Sequence, residues 1–413
     1  MTAPETRAVI AALTARGAEV RFVGGCVRDA AIGRAVTDID IATHDLPETV
    51  IDLLKAAHLK VVPTGLKHGT VTAVVKGHHF EITTLRRDVE TFGRHARVEF
   101  TDDWAADAAR RDFTMNAMFL GADGRLYDPF GGLADLEAGR VRFVGDARLR
   151  IKEDVLRLLR FFRFHARYGK GAPDADGLAA CRELAPLLPT LSAERVRDET
   201  LKLLRASAPA DILRLMAREK ILAHYLPEAR QFDRLASLTE LAPERAAPDG
   251  LRRLAAVLDV DGAGARDVGA RLRLSNAEIK RLGAALEHLP GFVLPPDTRA
   301  LRRALYTLGA ELYRDLVLLA WAEARARRAA DDAPFARQLD ESAAWQRPTL
   351  PVKGPDVMAL GVKRGPKIGQ LLKRVEQWWI EGDFRATRED ALAHLRTLAA
   401  EKPAKPPRRK KPK

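Results

Sequence analysis

Cysteine is almost absent from the 413 residues: Cys26 and Cys181 stand far apart and outside any CxxC or Cys/His cluster. That excludes a disulfide framework and a structural zinc site, and it suits a reducing cytoplasm. Long apolar runs are missing as well. None approaches the roughly 20 residues that a membrane span needs, and the opening MTAPETRAVIAALTARG carries an acid and no long apolar core. The expectation is a soluble, unexported chain with no membrane partner. No internal repeat of fixed period occurs. Acidic residues are the scarcer charge, 56 against 69 Lys and Arg, so the chain carries +13 with a pI near 9.9. Such a balance favours a polyanionic partner without naming one. With 46% apolar residues in this length, the chain can bury more than one core.

The pattern changes near residue 145. Before it, strand-like runs (EVRFVG, DIDIAT, TVTAVV, HFEITTL) alternate with turn signals such as GADG. After it, IKEDVLRLLRFFRFHARYG, ERVRDETLKLLRA and PADILRLMAREKILAHYL each read as an amphipathic helix, separated by loops such as GKGAPDADG and LAPERAAPDG. The predicted fold class is α+β, a small mixed sheet followed by an all-α remainder. The last thirteen residues, EKPAKPPRRKKPK, hold seven Lys or Arg and four Pro and cannot build a core.

One stretch, GGCVRDAAIGRAVTDIDIAT (24–43), concentrates chemistry. Period-2 alternation on a strand turns Asp38 and Asp40 to the same face, with Ile39 and Ile41 opposite. Two adjacent carboxylates repel unless a cation neutralises them, and hard oxygen ligands of this kind suit Mg²⁺ completed by substrate phosphates. Upstream, strand, glycine turn and helix start place backbone N–H groups near Gly24 and Gly25 where a triphosphate could sit, and Arg28 adds a fork of donors. Either half alone reads as an ordinary turn or an exposed strand edge. Together they point to phosphoryl transfer.

The combination resembles the DNA polymerase β-like nucleotidyltransferases. TGLKHGTVTAVV, FEITTLRRD, RRDFTMNAMF, DPFGGLADLEAGRVRFVG, EDVLRLLRFFRF and SAERVRDETLKLL follow in order, and they narrow the resemblance to the bacterial-type CCA-adding and poly(A) polymerase family. The resemblance implies a catalytic head (1–145), a helical neck carrying the base template (146–210), a helical body (211–300), a tRNA-binding helical tail (301–397) and a disordered basic extension (398–413). It implies two Mg²⁺ ions on Asp38 and Asp40, with Glu81 either a third carboxylate or an exposed strand position. CTP and ATP would be the substrates and tRNA the partner. Gly25 and Arg28 correspond to triphosphate contacts. Arg111, Asp112 and Asn116 correspond to the surroundings of sugar and phosphates. RRDVETFGRHARVEFTDDWA (86–105) is similar to the family's flexible loop, which is shortened in enzymes that add only C residues.

In EDVLRLLRFFRF, Asp154 and Arg157 lie three apart on one helix face, with Arg160 and Arg163 continuing a basic stripe. They form either a helix ion pair or, as the resemblance implies, the pair that reads the incoming base. Glu194 and Arg197 form either an ion pair or an anchor for the neck helix. Trp378 and Trp379 fit a core better than a stacking platform. His68 fits a turn. The only HD dipeptide, His44–Asp45, follows the DxD strand, so no appended HD phosphohydrolase domain is expected. The activity implied is CCA addition to tRNA. Alternatives are a poly(A) polymerase, an A-only or CC-only enzyme, and a nonenzymatic RNA-binding scaffold.

Overall fold

The computed structural model describes residues 1–92, 95–241, 247–328 and 331–401. The first 145 residues form α1 (Pro4–Thr14), β1 (Val20–Val23), α2 (Gly25–Ala31), β2 (Ile39–Thr43), α3 (Pro47–Ala56), β3 (Lys60–Gly65), β4 (Thr70–Val75), β5 (His78–Thr84), β6 (Arg86–Phe92), β7 (His95–Phe100), α4 (Trp104–Ala109), β8 (Phe119–Gly121), β9 (Leu126–Tyr127) and α5 (Gly132–Ala138). Seven strands make one mixed sheet in the order β3-β4-β5-β2-β1-β8-β9. Only β2 and β5 run parallel, with Asp40 opposite Glu81. Alternation sorts the side chains onto two faces. Phe22 and Ile41 enter the large core, whereas Val23 and Ala42 join Trp104, Phe119 and Leu85 in a second core on the other face.

The segment resembling the family's flexible loop holds strands that its sequence pattern does not predict. β6 and β7 pair antiparallel from Arg86/Phe100 to Phe92/His95, and α4 follows directly. Its charge hid the strands, because period-2 alternation is visible only when one face is apolar.

From Asp146 onward the described residues are helical: α6 (Ala147–Glu153), α7 (Leu156–Tyr168), α8 (Ala175–Leu184), α9 (Ala193–Leu204), α10 (Pro209–Arg218), α11 (Phe232–Glu240), α12 (Gly250–Val257), α13 (Gly262–Arg271), α14 (Asn276–His288), α15 (Thr298–Leu308), α16 (Ala310–Ala326), α17 (Asp332–Ala343), α18 (Gly354–Ala359), α19 (Pro366–Glu381) and α20 (Arg388–Ala400). Asp146 caps α6 by accepting from the Leu149 N–H. Two expected helices are broken. The stretch from Ile151 to Gly169 splits at Asp154, whose extended backbone (φ −148°, ψ 104°) ends α6. The stretch from Pro209 to Leu226 stops at Arg218 because Lys220 turns left-handed (φ 61°), and this swings Ile221, Leu222 and Leu226 into the core. Helical spacing cannot register a turn whose apolar residues happen to keep the period.

The large core runs from α1 to α17 as one cluster, and Phe113 and Phe143 meet Phe161 and Phe164 of α7 with centroids 5.2–6.5 Å apart. Residues from Val352 to Leu398 form a separate small core. Trp379 lies in the wall between the two, 3% exposed, against Tyr306 and Phe384; Trp378 stacks on His394 at 4.3 Å. Packing of Leu398 carries α20 to Ala400, into the stretch expected to be disordered; residues 402–413 lie outside the described residues. No helix among the described residues is long and apolar enough to cross a membrane.

Between α12, α14 and α16 sits a buried ion network. Asp315, 2% exposed, accepts from Arg252 Nε (2.6 Å) and Arg281 Nε (2.6 Å), and Arg281 also reaches Asp249, the N-cap of α12. Asp315→Ala would leave the buried Arg252 and the half-buried Arg281 with Asp249 as their main remaining counter-charge, so it should cost about 2–4 kcal/mol. A urea midpoint unchanged from wild type would contradict this.

Candidate active site

The site is assembled from four short segments around a cavity of about 370 Å³. Gly24, Gly25 and Arg28 come from the turn into α2, and Asp40 from β2. Arg110 to Asp112 and Asn116 follow α4, and Asp154, Arg157, Arg160 and Phe164 come from the break before α7 and from α7 itself. Gly24 is needed where it stands because its φ of 73° lies where side chains are strained.

At the floor, Asp112 is 8% exposed and carries the network. Its Oδ1 accepts from the Phe113 N–H (2.9 Å) and Asn116 Nδ2 (3.0 Å); its Oδ2 accepts from Arg160 Nε (2.7 Å). Asn116 Oδ1 in turn accepts from Arg28 Nη1 at 2.6 Å. Burial opposes the charge on Asp112, yet Arg160 and Asn116 hold its carboxyl below the usual range. Arg110 and Arg111 are both pinned by Asp107, a 1% exposed carboxylate at 2.6 and 2.9 Å. Asp107 Oδ1 also accepts from the backbone N–H of Arg86, where the β6–β7 hairpin begins.

Asp154 and Arg157 both line the cavity but share neither a helix nor an ion pair. Asp154 precedes α7, accepting from the Leu156 N–H at 3.1 Å and from Arg195 of α9 at 2.7 Å. Arg157 donates to Glu153 (2.7 Å) and to the carbonyls of Arg150 (3.2 Å) and Arg110 (3.0 Å). The local ion pair weighed as the plain alternative is thus absent. Arg163 departs from the basic stripe: each three-residue step rotates about 60° around the helix. Its guanidinium pairs with Glu199 and covers Phe164 at 4.3 Å, away from the cavity.

The acidic group is less gathered than the sequence suggests. β2 begins at Ile39, so Asp38 lies just before the strand, exposed and accepting from Thr37 Oγ1 at 3.2 Å. Glu81 faces Asp40 across the β2–β5 ladder without lining the cavity. Burial, Glu81 and Asp38 together push the Asp40 carboxyl up to about 6, against the pull of Arg111. His44 packs on Trp104 at 5.0 Å, and the His68 carbonyl accepts from Arg86 in a short 3₁₀ turn. Arg197 donates to the Arg273 carbonyl at 2.7 Å, which fits the anchoring role.

A head-domain profile described as "Poly A polymerase head domain" matches residues 20–142, and one described as "Probable RNA and SrmB-binding site of polymerase A" matches 173–232. The mitochondrial CCA tRNA nucleotidyltransferase 1 of Danio rerio is 36% identical over 386 residues, 91% of this chain and 87% of the relative. The chain belongs to the CCA tRNA nucleotidyltransferase family. The human counterpart is 33% identical over 92% of this chain and 86% of its own. Among solved structures, the Bacillus stearothermophilus CCA-adding enzyme in complex with CTP superposes with a TM-score of 0.76 at 30% identity, covering 95% and 96% of the two chains. The Thermotoga maritima CCA-adding enzyme complexed with tRNA shares the fold at a TM-score of 0.65 and 21% identity, covering 96% of each chain.

For this family member a mixed sheet followed by helices bears out the expected α+β fold class. The sequence reading missed Asp107, Arg110 and Arg195. Asp107 had a signal, since it stands on α4 three and four residues before the two arginines that follow the helix. Arg195 had none, because its partner is 41 residues away.

Among the described residues, no three His, Cys, Asp or Glu side chains are grouped to hold a metal by themselves. Asp40 still fits a divalent cation: it is a half-buried carboxylate burdened by two like charges, and Mg²⁺ is commonly held by one or two carboxylates plus phosphates. The raised value carries a prediction. An Asp with a folded pKa above its unfolded one destabilises the fold progressively as pH rises from about 4 to 6, and fully above that range. Without divalent metal, Asp40→Asn should therefore raise stability at pH 7.5 by on the order of 1–2 kcal/mol, allowing for solvent access, with the gap closing toward pH 4. Thermal melts in EDTA test this, and added Mg²⁺ should stabilise only the wild type. Equal melts at both pH values would refute the burden on Asp40.

Proposed function

We propose that this protein adds or repairs the 3′-terminal CCA of tRNA, taking CTP and ATP and using no nucleic-acid template. The observation that carries the reading is the convergence, in one cavity of a chain similar along most of its length to CCA tRNA nucleotidyltransferases, of phosphate donors with a carboxylate and a guanidinium suited to a base edge. Arg28 and the Gly25 turn would take the triphosphate. Arg111, held by Asp107, and Asn116, held by Asp112, would face sugar and phosphates, while Asp112 and its partner Arg160 act through Asn116 rather than touch the nucleotide. Asp38 and Asp40 would hold Mg²⁺, with Glu81, opposite Asp40 on β5, as a candidate third carboxylate. The chemistry Mg²⁺ supplies when bound is activation of the RNA 3′-hydroxyl and charge relief on the leaving pyrophosphate.

Base choice would rest on Asp154 and Arg157. A carboxylate accepts from the amino group of C or A and a guanidinium donates to a ring acceptor, so U and G present the wrong pattern. Arg157 has five N–H donors and uses three on Glu153, Arg150 and Arg110, which leaves two for a base. Arg195 of α9 holds one oxygen of Asp154 and the Leu156 N–H the other, which fixes the carboxylate's orientation while each oxygen keeps acceptor capacity for a base. Residues 301–397 would grip tRNA through phosphate contacts.

The test uses purified protein, tRNAs ending before CCA, after C and after CC, and each labelled NTP singly. Asp38→Ala or Asp40→Ala should abolish incorporation. Asp154→Ala should weaken discrimination against UTP by about 1–3 kcal/mol, and Arg157→Ala should reduce CTP and ATP use by a similar amount. Arg195→Ala should act in the direction of Asp154→Ala but more weakly. Addition of A alone to any RNA end would favour a poly(A) polymerase. Folded Asp154 and Arg157 variants with wild-type selectivity would move base choice elsewhere.

A further inference from the structure

Arg28 is held on three sides. Its Nε donates to Asp29 Oδ1 at 2.9 Å and its Nη1 to Asn116, and its plane lies over the ring of Tyr168 with Cζ 4.4 Å from the centroid. Nη2 makes no hydrogen bond among the described residues and points toward Gly25, 3.6 Å from where a Cβ on that residue would stand. The open edge of the fork therefore faces the cavity.

What fixes that edge comes from two domains of the chain. Asp29 follows Arg28 on α2, whereas Tyr168 is the last residue of α7, 139 positions away. The Tyr168 hydroxyl donates to the same Asp29 Oδ1 at 2.7 Å, so one carboxylate oxygen receives both the arginine and the phenol. Burial works against the charge on Asp29, but Arg28 and Tyr168 hold its carboxyl below the usual range. The contact is sewn at its margin: Arg34 lies over the Tyr168 ring at 4.8 Å and donates to the Arg167 carbonyl at 3.1 Å.

We propose that Asp29 and Tyr168 are a positioning pair for Arg28, through which the neck helix α7 sets how firmly the head holds a nucleotide triphosphate. The proposal rests on the reading that Arg28 contacts phosphate. It adds a property that the base-reading residues lack. CTP and ATP share the triphosphate, so the pair acts on both nucleotides by the same factor, and on pyrophosphate as well.

The measurements are KM and kcat for CTP on tRNA lacking CCA and for ATP on tRNA ending in CC, inhibition by inorganic pyrophosphate, and a thermal melt. Tyr168→Phe keeps the ring under Arg28 and removes only the hydroxyl. It should raise both KM values and the pyrophosphate inhibition constant together by about threefold, and Asp29→Asn by about tenfold, as expected for weakening a hydrogen bond to a charged group. The melt and kcat should move little in Tyr168→Phe. In an Arg28→Ala background, Tyr168→Phe should add nothing. If Arg28→Ala shifts these constants while Tyr168→Phe and Asp29→Asn do not, the positioning role is overturned and the phosphate role of Arg28 stands. If Arg28→Ala itself leaves pyrophosphate inhibition unchanged, the underlying reading falls. A shift confined to one nucleotide would assign the pair to base recognition and overturn the proposal.

Discussion

The carboxylate of Asp112 is the point on which the site depends. Arg160 reaches it from α7, Asn116 from the turn after α4, and through Asn116 it fixes Arg28 of α2. An ion pair so deeply enclosed adds little to stability as a whole, because desolvation offsets most of the attraction. Its effect is on geometry. With both oxygens engaged, the three segments are held in one relative arrangement, and a cavity stays open between them.

Around this node the phenylalanine contacts between head and neck supply the burial that the charges do not. Phe113 and Phe143 meet Phe161 and Phe164, and Phe164 also presents its ring to Arg28, Arg160 and Arg163 at 5.2, 5.1 and 4.3 Å. Apolar packing and cation–π contact thus act on the same helix. Disturbing α7 moves Arg157 and Arg160 together with Arg28, whose plane Phe164 and Tyr168 also cover. A cavity lined from both the sheet region and α7 makes the relative position of these elements part of its geometry.

The arginines illustrate how charge is used in a chain with a net +13. Few of those lining the cavity are free in all their donors; Arg110 and Arg111 share Asp107, and Arg157 is tied to Glu153 and two carbonyls. Tethering costs entropy once, during folding, so that less is lost when a substrate binds. Asp107 also touches the root of the hairpin at Arg86, which links that hairpin to the wall of the cavity.

The amino-acid sequence by itself determined the local facts. The alternation in VRFV and DIDIAT makes strands, Gly24 permits a left-handed turn into α2, and the order of the blocks identifies the family, because each depends on neighbours in the chain. It also marked Asp40, Arg28, Asp112, Asn116, Asp154 and Arg157, which do converge on one cavity. Only the tertiary structure decided their partners. The break at Asp154, the turning of Arg163 to Glu199 and the hold of Arg195 and Tyr168 on residues 41 and 139 positions away arise from contacts between helices. Periodicity reports which face of an element is apolar, and it is blind to which distant side chain that face will meet.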